Sequence, residues 1–387
     1  MRIPTALASF LIVLECVAQD GIFSQFLANK LYLNPSFVGS NMAASDFTMN
    51  SRQQWSNVPG PTNTPILGAY RFNQASFQSY CSAQGLGFGL QLRHSSEGEG
   101  VLNGYNATLY LGQTQSIWER KTARSYKGGF LGFKLQRVQA SAGLAMGMVQ
   151  RTIDWSALRF SSQYHPYLGY FRPNSNLQPQ NDRSNIYFDP SFGVRVKTMF
   201  GDKTNAKMTT ISTGFAVFHL IRPVESFFGL NHTIPRRYNG FLSVNFFKSP
   251  KRHKNNPLFS SISLVYDHQA PLSTSTITLG QQLHQQLMVS AGVRRRNFWD
   301  INAQSDAVIF AVNALAGETQ LGVSYDLTVS ALSQVRTTGS LELSLTIPLS
   351  NSYCLPGISS RGRRRDFNCV DSELMRIRPK DFINFLP

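Results

Sequence analysis

Little in this chain is arranged for covalent chemistry. Acyl transfer, zinc hydrolysis, dithiol redox work and phosphate binding each leave a spaced signature. G-x-S-x-G, H-E-x-x-H, C-x-x-C and G-x-x-x-x-G-K-[ST] are all missing from the 387 residues. His268 and Ser273 come nearest to a base and a nucleophile, but closeness in sequence is not a catalytic geometry. His219 reads as a hydrogen-bonded residue rather than a metal ligand. The sequence therefore predicts no enzyme, no cofactor and no metal. What its polar residues offer is pairing: Arg52, with Trp55 beside it, and the carboxylates Asp326 and Glu342 are candidates for one internal ion-pair network.

Such residues need elements to hold them, and the chain alternates with a period of two. From Leu86 the even positions are Leu86, Phe88, Leu90 and Leu92, against Gly87, Gly89, Gln91 and Arg93. Leu321, Val323, Tyr325, Leu327 and Val329 alternate with Gly322, Ser324, Asp326, Thr328 and Ser330. Leu341, Leu343, Leu345 and Ile347 alternate with Glu342, Ser344 and Thr346. Weaker copies lie at 101–112, 131–137, 140–150, 192–197, 211–218, 238–247, 262–267 and 287–294, and irregular ones at 47–55, 64–72, 277–281 and 307–315. A soluble sandwich also alternates. The number of segments and a minor face of Gly, Ser, Thr and Asn favour a transmembrane antiparallel β-barrel of the outer-membrane type, with about 14 strands because such walls hold an even number.

In a barrel Arg52, Asp326 and Glu342 face the lumen, where a charge is costly unless paired. Tyr105, Tyr110, Tyr238, Tyr266, Tyr325 and Phe247 are candidates for the interfacial girdles. The long connection 153–190, with Pro166, Pro173 and Pro179, is the candidate external surface. Even strand parity places both ends of the wall, and with them the N- and C-terminal segments, on the periplasmic side.

The chain divides into four parts. Residues 1–18 resemble an export signal, with Arg2, an apolar stretch over 6–14 and Cys16-Val17-Ala18 before Gln19. Glu15 argues against lipidation of Cys16. Residues 19–45 are a periplasmic or plug segment, 46–349 the barrel, and 350–387 a basic tail. No run of 18 apolar residues suggests a spanning helix. Phe23, Ser24, Gln25, Leu33, Asn34 and Pro35 precede the first strand, so facing lipid does not explain them. They are candidates to plug the lumen, close the periplasmic end or meet a partner.

In the tail, Arg363, Arg364 and Arg365 are candidate contacts for periplasmic machinery, peptidoglycan or an associated lipoprotein. Cys354 and Cys369 are the expected disulfide, with Cys81 left over once Cys16 is removed. The net charge of +16 is scattered. Export argues against nucleic acid and favours anionic lipid, lipopolysaccharide or an acidic protein.

One ordered set of motifs carries a resemblance. Gln19-Asp20-Gly21, Phe23-Ser24-Gln25, Leu33-Asn34-Pro35-Ser36 with Gly39, and Arg52-Gln53-Gln54-Trp55 come first. Phe188-Asp189-Pro190, Gly214 to Leu220 with Pro223, Gly322 to Leu327 and Gly339 to Leu345 follow. Together they resemble the PorP/SprF family of type IX secretion and gliding-motility proteins, with Gly21 where proline is common and Ser36 where alanine is usual. The resemblance implies an accessory barrel in the outer membrane of Bacteroidota. It would bind or anchor a secreted partner, such as an adhesin with a type B C-terminal domain, or link to the periplasmic ring of the machine. The rival reading of the same wall is a porin or FadL-like transporter, and a third is a soluble β-sandwich adhesin.

Overall fold

The computed structural model describes residues 20–26, 28–40, 45–55, 70–81, 85–98, 102–119, 134–154, 161–165, 167, 169–170, 182–202, 207–227, 230–248, 258–284, 286–297, 305–317, 319–330 and 339–349. Alternation converts directly into a wall. The strands in chain order are β1 (Ser45–Gln54), β2 (Tyr70–Cys81), β3 (Leu86–Glu97), β4 (Leu102–Glu119), β5 (Lys134–Ile153), β6 (Tyr164–His165), β7 (Gly169–Tyr170), β8 (Tyr187–Asp202) and β9 (Lys207–Phe218). They continue with β10 (Val224–Phe227), β11 (Leu230–Thr233), β12 (Arg237–Lys248), β13 (Leu258–Gln269), β14 (Leu272–His284), β15 (Leu287–Arg296), β16 (Ser305–Ala316), β17 (Thr319–Thr328) and β18 (Ser340–Leu349). Fourteen of them close an antiparallel barrel in which β1 pairs with both β2 and β18. The remaining four form two small hairpins, β6–β7 and β10–β11.

Closure satisfies every ladder amide between strands, which lipid demands. The outward face is then free to be oily: Leu92, Leu109, Phe215, Leu279, Phe310, Val323 and Leu343 are all more than 45% exposed. In water that area would be a liability; in a bilayer it is the contact surface. Among the described residues no helix is long and apolar enough to cross a membrane.

The fifteen sequence candidates become fourteen wall strands because 131–137 and 140–150 lie on one strand, β5. A register shift at Leu135/Arg137 against β8 interrupts its alternation, and the neighbouring β4 carries its own shift at Ser116/Trp118. The candidate at 64–72 lies mostly outside the described residues, and β2 instead starts at Tyr70. Two girdle candidates turn inward: Phe247 is buried against Phe259 and Met288, and Tyr110 is buried and donates to Gln91 Oε1 at 2.9 Å. Tyr105, Tyr238 and Tyr325 do face outward.

The two rims differ. At one end the wall is bridged by 55–69, 154–186, 219–236 and 329–339, along with three shorter connections. At the end where β1 starts and β18 finishes, four of the six connections span four residues or fewer: 82–85, 203–206, 285–286 and 317–318. Cys81, closing β2 at that end, is disulfide-bonded, so it is not the spare thiol that a Cys354–Cys369 pair would leave. Cys354, Cys369, Arg363, Arg364 and Arg365 lie outside the described residues, as does the proline-bearing middle of 153–190.

Candidate functional site

The site is the lumen, and the chain before β1 occupies it. Strand parity governs where β1 starts and β18 ends, not where the preceding residues go. That segment lies inside the wall, with Asp20 at the long-loop mouth and Gly39 toward the other end. It touches strands on all sides through contacts with Arg52, Gln74, Gly143, Val194, Phe241, Asp326 and Glu342.

Its local structure is short and capped. One turn of helix, α1 (Lys30–Leu33), is followed by a 3-10 turn at Pro35–Phe37. Asn34 caps that turn by accepting from the Ser36 amide at 2.8 Å, and Pro35 sits where a missing N–H costs nothing. The Asn34 amide group also donates to the Val194 carbonyl of β8 at 3.2 Å. Phe37 packs on Phe241, centroids 5.0 Å apart, under the Arg195 guanidinium at 4.7 Å.

A row of glycines receives this turn. Gly87, Gly112, Gly143 and Gly193 are direct register partners on β3, β4, β5 and β8. The 34–39 backbone runs along that row. A Cβ at Gly143 would strike the Pro35 carbonyl, one at Gly193 the Asn34 side chain, and one at Gly87 the Val38 carbonyl. Only glycine lets backbone approach backbone this closely.

Higher in the lumen lies a buried ionic cluster. Arg52 and Glu342 are register partners across the β1–β18 seam. Arg52 forks to Asp326 Oδ2 at 2.7 Å and Glu342 Oε2 at 3.1 Å, and Arg294 reaches Asp326 Oδ2 at 3.0 Å. None of the four side chains exceeds 4% exposure. Two cations and two anions make the set neutral, and the N-terminal segment completes its hydrogen bonding. The Ser24 hydroxyl accepts from Arg52 at 2.8 Å and Arg294 at 2.7 Å while donating to Asp326 at 2.6 Å. Glu342 accepts from the Ser24 amide at 2.7 Å, the Gln25 amide at 3.2 Å, and the side-chain amides of Asn29 and Asn50 at 3.1 and 2.9 Å. Unpaired, any of these charges would be strongly unfavourable so deep in the barrel.

At the mouth, Asp20 accepts from Arg237 Nη1 at 2.9 Å and pairs with His219 Nε2 at 3.1 Å, and His219 Nδ1 reaches Asp189 at 2.9 Å. Burial opposes the charge on His219, but the Asp20 charge and the hydrogen bonds to Asp189 and Asp20 outweigh it and raise its pKa to about 9. Burial likewise opposes the Asp20 charge, yet His219 and Arg237 hold its carboxyl well below the usual range. Phe23 packs edge-on against Tyr32 and Phe72, at 5.1 and 5.3 Å. Two voids beside the segment hold about 40 and 50 Å³, room for a few waters.

Of the residues singled out in the sequence, Arg52, Asp326, Glu342, Ser24 and Gln25 come together, while Phe23, Leu33, Asn34 and Pro35 pack around them in the lumen. Trp55 does not join. It follows the end of β1 with a φ of 56°, and its amide bonds the Gly339 carbonyl at the rim. His268 and Ser273 are cross-strand neighbours without a shared hydrogen bond: the serine donates to Asn297 and the imidazole lies against Tyr238. Arg294 and the glycine row were not singled out, and Asp189 was noted only within the Phe188-Asp189-Pro190 motif. Among the described residues no group of His, Cys, Asp and Glu is placed to hold a metal.

The model of the family described as "Type IX secretion system membrane protein PorP/SprF" matches residues 16–118 and 123–347. No curated protein matches. Solved structures match at low identity and low TM-score. "CdiB from Acinetobacter baumannii" is 6% identical with a TM-score of 0.36; 79% of this chain is covered, and it spans only 60% of that one. The P. putida toluene transporter TodX is 8% identical, covering 83% of this chain and 93% of that one, TM-score 0.36. A Pseudomonas aeruginosa FadL homologue is 8% identical, covering 81% and 91%, TM-score 0.30.

Proposed function

We propose, from the premise that this chain belongs to the PorP/SprF family of type IX secretion system membrane proteins, that it is a plugged outer-membrane barrel that binds proteins at its rims. It anchors a secreted partner, such as an adhesin with a type B C-terminal domain, or links the membrane to the periplasmic ring. The observation that carries this reading is the seated N-terminal segment: its polar atoms complete a buried charge cluster, and its backbone lies in a glycine trough. A lumen so filled leaves the rims as the surfaces where a protein can be held. Binding there works by shape and hydrogen bonding, with no reaction at the barrel. Arg363, Arg364 and Arg365 are proposed as periplasmic contacts, for machine components, lipid or a peptidoglycan-associated lipoprotein.

Purification from native membranes with mild detergent, followed by mass spectrometry, tests this. Co-purification of type IX components or a large surface protein is expected, and recovery of neither would overturn the reading. Planar-bilayer recording addresses the porin or FadL-like transporter. The intact protein should conduct almost nothing and a variant lacking residues 20–40 should conduct; steady flux through the intact protein would favour transport.

A further inference from the structure

We infer that the chain leading into Asp20 enters the barrel through the long-loop mouth, so that this end of the protein lies on the outer side of the membrane while the tail after Leu349 lies on the inner side. The assignment goes beyond the secretion reading and does not depend on it.

Three contacts fix the upper end. The Asp20 amide donates to Gln269 Oε1 at 2.9 Å, so the peptide bond to the preceding residue is itself held there. Its carboxylate binds Arg237 and His219. Gln269 ends β13, Arg237 starts β12 and His219 follows β9, and all three positions lie at the same mouth. The lower end is fixed as firmly: the Gly39 amide donates to Gln78 near the end of β2, and β1 then starts at Ser45 opposite Leu349. Residues 20–40 therefore traverse the lumen against the direction of β1.

A closed wall has no lateral exit, because every neighbouring pair of strands is bonded. The chain before Asp20 thus leaves by the mouth where Asp20 sits. Orientation follows from the connections. That mouth carries 154–186 and 219–236, and most connections at the opposite end span four residues or fewer. Long loops belong to the external face of such barrels and short turns to the periplasmic face. A protein arriving from outside would then meet Asp20, Gly21 and Ile22 as the floor of the mouth.

The test places one epitope between Gln19 and Asp20 and another after Pro387 of the full chain, in separate strains. Intact cells are probed with an impermeant antibody, before and after permeabilisation. The first epitope should label on intact cells and the second only after permeabilisation. Labelling of both from the same side, or of the first only after permeabilisation, overturns the inference. Because an insert can keep the segment from seating, Ile22→Cys provides a second arm. An impermeant maleimide should modify it equally on intact and permeabilised cells, with the parent protein as the background. Modification that requires permeabilisation also overturns the inference.

Discussion

Replacing Arg52 with alanine tests the logic of the lumen most directly. Three hydrogen bonds vanish, at 2.8, 3.1 and 2.7 Å, but the larger effect is what remains. Asp326 keeps Arg294, whereas Glu342 keeps only neutral donors and has no exposure at all. Stranding a buried charge costs about 3–5 kcal/mol. The four neutral donors on Glu342 put the expected value near the lower bound, about 3 kcal/mol, which is roughly a hundredfold in the folded population. The wall keeps its ladders, so the loss should appear first in the N-terminal segment. Lys30, buried in α1, should become cleavable by trypsin while the heat-modifiable barrel band persists in gels, and the urea midpoint should fall. Arg52→Met with Glu342→Gln removes both charges and leaves Arg294 and Asp326 paired, so it should cost clearly less than the two single losses added together. Full additivity, or an Arg52→Ala protein with unchanged midpoint and a protected Lys30, would refute the reasoning.

Two further outcomes follow from the same geometry, and a third from the composition of the tail. Gly143→Ala should cost about 1–3 kcal/mol as its Cβ displaces Pro35, whereas the lipid-facing Ala142→Val should stay within about 0.5 kcal/mol, both read from urea midpoints. His219, with a folded pKa raised from 6.5 to about 9, contributes stability that is complete below about pH 6.5 and lost as pH rises through about 9. That contribution is at most about 3 kcal/mol, so the wild-type midpoint should drop between pH 6 and 10 and His219→Gln should flatten the dependence. Removing residues 350–387 should leave the heat-modifiable band intact while weakening co-sedimentation with the peptidoglycan fraction; loss of the band would show that the tail is needed for folding.

What could be read from the sequence depended on how cleanly each strand separates lipid from lumen. β17 and β18 do so along most of their length and β3 as far as Arg93, beyond which His94 and Ser96 take outward positions. β2 does not: Arg71 and Asn73 face outward while Phe72 and Tyr80 are buried inward, so its two faces look alike. Arg52, Asp326 and Glu342 were legible because a charge at an inward position needs a partner. Arg294 was hidden in a run of three arginines, where only register decides which one faces in. The glycine row is invisible to any local pattern, since its four members come from strands as far apart as residues 87 and 193 and become neighbours only through pairing. Periodicity also says nothing about residues 20–40, whose conformation is set by the lumen that surrounds them.

Closure also limits how another protein can be recognised. Adding a strand to a sheet is the most economical way to hold an extended segment, but it needs an unpaired edge. The fourteen-strand wall has none, because β1 is bonded on both sides. Among the described residues, the strands outside that closed ladder are β6–β7 and β10–β11, and both hairpins lie within the connections of the long-loop mouth. β10 is braced by Asn185, which accepts from the Ser226 amide at 2.7 Å and donates to the Val224 carbonyl at 3.0 Å. Asn185 in turn lies two residues before β8, the strand that cradles Asn34 through Gly193. Arg151 of β5 adds a second tie, pairing with Glu225 of β10 at 3.3 Å, and a partner that pulled on the hairpin would load the strands that seat the N-terminal segment. Substituting Asn185 with alanine removes both side-chain bonds but keeps the backbone bond from its amide to the Ser226 carbonyl, so it should loosen β10–β11 in hydrogen exchange while residues 20–40 stay protected; equal loss of protection in both would mean that the strand, not the asparagine side chain, carries the load.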